Sequence, residues 1–147
     1  VRLVGSEMCI RDRDKPLRGY HILLAEDNEI NMEIAEFYLE EAGAQVTKAW
    51  NGREAAELFK QSGLREYDAV LMDIMMPELD GKEASRKIRS MADQREDAAE
   101  IPILAMTAQA STESIHQCKS AGMNGCIFKP VNAKELIRLL QDIVAKI

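Results

Sequence analysis

The stretch Ala69-Val70-Leu71-Met72-Asp73-Ile74-Met75-Met76-Pro77 decides how this chain is expected to fold. Four apolar residues in a row show no alternation, the pattern of a strand covered on both faces, as strands of parallel sheets are. The run stops at a carboxylate, Asp73. Outward from it, apolar strands alternate with helical patterns in both directions. Upstream, His21-Ile22-Leu23-Leu24-Ala25 is a second continuous strand, ending at Glu26-Asp27. Residues 28–42 place Ile30, Ile34, Phe37 and Tyr38 at the three- and four-residue steps of a helix face, and Gly43 stands where helices commonly end. Residues 44–50 read as a weaker, more polar strand at a sheet edge. Asn51 then caps a second helix that buries Ala55, Leu58 and Phe59.

Downstream, a third helix is expected from Gly81 to Met91, with the charged run 93–100 as a loop. Ile101-Pro102-Ile103-Leu104-Ala105-Met106 is another buried strand, its proline tolerated near the start, and it ends at Thr107. Residues 111–121 read as a polar helix with few apolar anchors. Gly125-Cys126-Ile127-Phe128 is the fifth strand and runs into Lys129-Pro130. Asn132 and Glu135 fit a capping box opening a last helix with Leu136, Leu139, Leu140, Ile143 and Ile147. Five βα units in residues 20–147 predict an α/β fold, a parallel sheet with helices on both faces.

Composition supports one ordinary domain. The 147 residues are 46% hydrophobic and 30% charged, a globular balance, with a net charge of −6. Residues 1–19 hold five basic and three acidic side chains, leaving 14 and 22 for residues 20–147, a domain at −8. Such a field disfavours nucleic acid and anionic membranes, so neither is an expected partner. No apolar stretch approaches a membrane span, and no signal-peptide core is present. Cys9, Cys118 and Cys126 are odd in number, far apart and without metal-ligand spacing, and read as reduced thiols of a soluble intracellular protein. Val1 in place of Met and the alternating charges of Arg11–Lys15 mark residues 1–19 as a leader, a linker or foreign sequence, with the folded unit expected at 20–147.

In open parallel sheets ligands bind beyond the carboxyl ends of the strands. Here those ends carry Glu26 and Asp27, Asp73, Thr107 and Lys129. Clustered carboxylates need a counter-charge, which a hard divalent cation and Lys129 supply. Mg2+ suits the set, since it takes oxygen ligands, one or two carboxylates and several waters. The same parts fit phosphoryl transfer: Asp73 as nucleophile, metal and Lys129 against the phosphoryl oxygens, and Thr107 donating a hydrogen bond to one of them.

Taken together, Leu24-Ala25-Glu26-Asp27-Asn28, Leu71–Pro77, Met106-Thr107-Ala108, Phe128-Lys129-Pro130, Asp80-Gly81 and Ala121-Gly122-Met123 resemble the receiver domain of two-component response regulators across residues 20–147. The resemblance implies a flavodoxin-like, doubly wound five-stranded parallel sheet of order 2-1-3-4-5. It implies that Asp73 is the phosphoacceptor, that Glu26, Asp27, Asp73 and the Met75 backbone carbonyl hold Mg2+, that Thr107 is the switch hydroxyl, and that Lys129 is the essential ammonium. Gln109 and Met75, two residues beyond Thr107 and Asp73, together with Ala108, would tune phosphoryl lifetime, Gln109 by orienting water and Met75 by excluding it. One position departs from the pattern: Cys126 stands where receivers commonly carry an aromatic, with Phe128 next on the same strand face.

The implied function is a cytoplasmic signalling switch, phosphorylated by a histidine kinase or a histidine phosphotransfer protein. It is not an enzyme beyond its own phosphorylation and dephosphorylation. A stand-alone regulator and the receiver of a hybrid histidine kinase feeding a phosphorelay are the two contexts; Asn28-Glu29-Ile30-Asn31 and the Met-less leader favour the hybrid. The face of helix four, strand five and helix five is the expected partner surface, homodimers included. A haloacid-dehalogenase-type phosphatase would need an Asp where Met75 stands, and a flavin or nucleotide module would need a glycine-rich phosphate loop, which is absent. A receiver-like scaffold without phosphorylation is disfavoured by the complete acceptor set.

Overall fold

Continuous apolar strands demand cover on both faces, and helices supply it. The computed structural model describes residues 15–74, 80–108 and 111–145, together with the backbone of 2–3 and 6–7, which form a short antiparallel pair. In chain order the main elements are β1 His21–Ala25, α1 Glu29–Glu41, β2 Gln45–Ala49, α2 Gly52–Gln61, β3 Ala69–Asp73, α3 Gly81–Arg89, β4 Ile103–Thr107, α4 Thr112–Ser120, β5 Gly125–Phe128 and α5 Ala133–Ala145. The five strands form one parallel sheet in the order β2-β1-β3-β4-β5, as the resemblance implies, with the polar β2 at an edge.

Alternation along each strand splits the interior into two cores. Leu23, Val70, Met72 and Ile103 face Phe59, Ile88 and Cys118 on one side. Ile22, Leu24, Leu71 and Leu104 face Met32, Leu39, Leu136 and Leu140 on the other. Each main helix begins with the same device at the carboxyl edge of the sheet. Asn28, Asn51, Asp80, Ser111 and Asn132 accept from the backbone N–H three residues on, at 2.9, 2.7, 2.9, 3.1 and 3.1 Å. These caps satisfy otherwise orphaned donors and fix the helix starts beside the strand ends.

Three expectations change. The exposed stripe of α1 is Ile30, Ile34 and Phe37, at 67%, 42% and 60%, while Met32, Ala35 and Leu39 are buried. Both stripes recur at helical spacing, and the one with the small Ala35 at its centre packs into the core against the sheet. The run 93–100 is ordered, with a 3-10 turn over Ser90–Asp93 and an α-turn over Asp97–Glu100. Arg95 lies over the Phe59 ring, pairs with Asp97 at 2.8 Å, and donates to carbonyls at the end of α2, among them those of Phe59, Ser62 and Gly63. Packing also starts ahead of Tyr20: Leu17 is fully buried and donates its N–H to the Ala42 carbonyl at 2.8 Å. Gly43 turns at φ +100, and a Cβ there would meet the Lys15 Cβ at 2.8 Å, so glycine lets this segment close on α1.

Candidate functional site

Parallel strands in register bring their carboxyl ends to one edge. Ala25 pairs with Met72 and Asp73 with Met106, so the residues following β1 and ending β3 and β4 are neighbours. Glu26, Asp73 and Thr107 are buried at 2%, 3% and 6% exposure, and Asp27 is exposed. Carboxylate oxygens of Glu26, Asp27 and Asp73 all lie within 4.8 Å of one another. Lys129, carried past the end of β5 and joined to Pro130 by a cis peptide, reaches back over this edge. Its Nζ is 3.0 Å from Glu26 Oε2 and 3.0 Å from Asp73 Oδ2. Its backbone N–H donates to the Thr107 carbonyl at 2.8 Å, which ties the lysine to the end of β4.

Burial and charge together shift these groups. Burial pushes the Glu26 carboxyl up to about 7, helped by its hydrogen bond to Asp73 and opposed by Lys129. Burial alone would lower Lys129, but its contacts with Glu26 and Asp73 outweigh that and raise it. Three carboxylates facing one ammonium are short of positive charge. Three converging oxygens of hard ligands, one of them open to solvent, fit a small divalent cation that keeps water ligands.

Close backbone approach shapes the rim. The Gly81 N–H donates to the Ile74 carbonyl at 2.9 Å, and a Cβ on Gly81 would collide with the Asp73 carbonyl oxygen. Only glycine lets α3 start this close to Asp73. A groove lined by Glu26, Asn31, Ile34, Tyr38, Lys129 and Pro130 runs from the carboxylates to the exposed stripe of α1. Sequence reasoning placed those α1 residues in the helix but missed this surface.

The structure thus brings together Glu26, Asp27, Asp73, Thr107 and Lys129. Ala108 is exposed beside Thr107. Met75 and Gln109 lie outside the described residues. Cys126 is on the far side of β5 from Ile127, packed against the core that holds Cys118, while Phe128 at the strand end is 36% exposed.

Among solved structures, the chain is similar to the receiver domain of sensor histidine kinase PA1611 from Pseudomonas aeruginosa PAO1, which has a magnesium ion coordinated in its active site cleft. The two are 38% identical with a TM-score of 0.77, covering 86% of this chain and 98% of that one. It is also similar to the receiver domain of the response regulator Ssk1 of Saccharomyces cerevisiae, crystallised with the histidine phosphotransfer protein Ypd1. That match has 29% identity and a TM-score of 0.79, covering 88% and 91%. Probable histidine kinase 4 of Oryza sativa subsp. japonica is 37% identical over 141 residues, 85% of this chain and 14% of that protein. Two-component system protein A of Emericella nidulans is 39% identical over 121 residues, 82% and 17%. The chain therefore spans only about a seventh of the histidine kinase. No helix among the described residues is long and apolar enough to cross a membrane. The response regulator receiver domain family matches residues 22–141, nearly the whole sheet with its helices, and the chain belongs to that family, a module of phosphoryl-transfer signalling.

Proposed function

We propose that Asp73 is the phosphoacceptor of this receiver, taking a phosphoryl group from a phosphohistidine with Mg2+ held by Glu26, Asp27 and Asp73. The observation that carries this is the convergence of three carboxylates within 4.8 Å under a lysine 3.0 Å from two of them. A bound Mg2+ would neutralise phosphoryl oxygens as charge builds on them. An Asp73 oxygen attacks phosphorus, its new O–P bond forming as the P–N bond to the donor imidazole breaks. The Lys129 ammonium turns from the carboxylates to the incoming oxygens, and the Thr107 hydroxyl donates to one of them. By the resemblance, the carbonyl of Met75 would complete the metal set, and Met75, Gln109 and Ala108 would set access of water to the acyl phosphate.

A protein donor is supported by the exposed apolar stripe of α1 beside the groove into the site, since apolar side chains grouped on a surface mark docking. That donor is a histidine kinase or a histidine phosphotransfer protein, the matched histidine kinase supports a receiver within a hybrid kinase, and a cytoplasmic location belongs to the same proposal. Self-association through the α4–β5–α5 face, where Phe128 is exposed, belongs to the same reading. The test is intact-mass spectrometry after incubation with a small-molecule phosphodonor and Mg2+. Wild type should gain one phosphoryl group and Asp73→Asn none. Equal labelling of both, or none in wild type under donor excess, would remove the assignment.

A further inference from the structure

Cys118 and Cys126 take no part in the chemistry above, yet they are neighbours. Within α4, Cys118 is the one buried residue, at 1% exposure, so this helix meets the core through a thiol. Cys126 is the second residue of β5, partly buried, and packs against the same core. The chain between them is folded back tightly. Met123 donates its N–H to the Cys118 carbonyl at 3.1 Å, Gly122 turns at φ +91, and Asn124 donates to the Ile103 carbonyl at 2.7 Å. Cys126 lies near enough to the Cys118 thiol to raise it, and both side chains pack into one core.

We propose that Cys118 and Cys126 form a reversible disulfide when the protein meets a hydroperoxide, tying α4 to β5. Cys126 is the entry point. It is the more exposed of the two, whereas burial, with Cys126 beside it, pushes the Cys118 thiol up to about 11 and keeps its proton on. The Cys126 thiolate attacks the distal peroxide oxygen, the O–O bond breaks, and the alkoxide or hydroxide leaves as alcohol or water. Cys126 is then a sulfenic acid. The Cys118 sulfur attacks it, the S–O bond breaks, and the departing hydroxide takes the Cys118 proton as water. Two thiols lose two electrons, and one peroxide is reduced to alcohol or water plus water. The bond lies at the position where receivers commonly carry an aromatic, and it makes the single buried anchor of α4 covalent.

The test uses the whole chain carrying Cys9→Ser, oxidised with hydrogen peroxide, alkylated, and digested with trypsin without reductant. Cleavage at Lys119 falls between the two cysteines, so the bond appears as peptide 96–119 joined to peptide 120–134. The expected result is that joined pair, with loss of two hydrogen masses per chain, reversed by dithiothreitol. In Cys118→Ser, dimedone should trap Cys126 as sulfenic acid; in Cys126→Ser, Cys118 should stay reduced. Terminal oxidation of Cys126 without the joined pair, links only between chains, or oxidation of Cys118 in Cys126→Ser at the wild-type rate would each overturn it. The peptide pair from the Cys9→Ser chain is decisive even if a further variant fails to fold. Asp73 labelling does not enter the readout, so this test and that of the phosphoacceptor fail separately.

Discussion

Replacing Lys129 by Ala should turn the metal-free site against the fold, by an amount that can be worked out. Lys129 holds two buried carboxylates at 3.0 Å each, with only 22% of its own side chain exposed. At an effective dielectric near 20, each contact is worth roughly 5 kcal/mol of gross attraction. Most of that is returned as desolvation, and breaking a buried pair by deleting one partner costs about 3–5 kcal/mol. Protonation limits the loss. Glu26 already sits up at about 7 with Lys129 present, and removing the lysine, which lowers it, drives it higher. At neutral pH Glu26 then takes a proton while Asp73 loses its ammonium partner, for a net loss of about 2–3 kcal/mol. For a domain of this size that is about a 10 °C fall in Tm.

The assay is thermal unfolding in a chelator, repeated across pH and with saturating Mg2+. Between the unfolded value of 4.5 and about 7, native Glu26 binds a proton that the unfolded chain has released. Wild-type stability without metal therefore falls as pH rises through that window, by on the order of 3 kcal/mol at most. In Lys129→Ala the decline should extend above pH 7. Mg2+ should narrow the gap between the two proteins, and adding Asp73→Asn should remove much of the variant's loss. Equal Tm values in chelator, or a variant whose stability rises with pH from 5 to 8, would refute the reasoning.

Two further outcomes follow from single contacts. Leu17→Ala should cost about 2–4 kcal/mol, because it empties a fully buried site between the leader and α1; a change under about 0.5 kcal/mol in urea unfolding would mean that residues 15–19 do not pack. Gly81→Ala should lower both stability, by about 1–3 kcal/mol, and the initial rate of Asp73 labelling, since a Cβ there collides with the Asp73 backbone; wild-type values for both would show that α3 yields without strain.

Much of the fold was legible because strands buried on both faces leave uninterrupted apolar runs, and because the residues ending those runs are polar. Glu26, Asp27, Asp73, Thr107 and Lys129 stand out by position, and sheet order joins them. What was not legible depends on pairings between distant segments. Alpha-one carries two apolar stripes at the same spacing, and only the fit against β1 and α5 selects Met32, Ala35 and Leu39 over Ile30, Ile34 and Phe37. The run 93–100 reads as solvated loop until Arg95 finds Phe59 and Asp97. Leu17 sits among charges with no periodicity around it, and its burial depends on Ala42 and Gly43, far along the chain. The turn between Cys118 and Cys126 brings both into one core.

The position of the Arg95–Asp97 pair has an electrical consequence. It lies where α2 ends and β4 is about to begin, at the opposite edge of the sheet from Asp73. Five-residue strands separate the two edges by roughly 16 Å. Asp73 and Asp97 are both buried, so salt screens them little and their influence on each other falls chiefly with distance. A charge gained or lost beside Asp73 therefore acts several times more strongly on Lys129, 3.0 Å away, than on the Arg95–Asp97 pair. The molecule thus has one end where charge acts strongly and another where it arrives weakened, with a nonpolar sheet as the spacer between them.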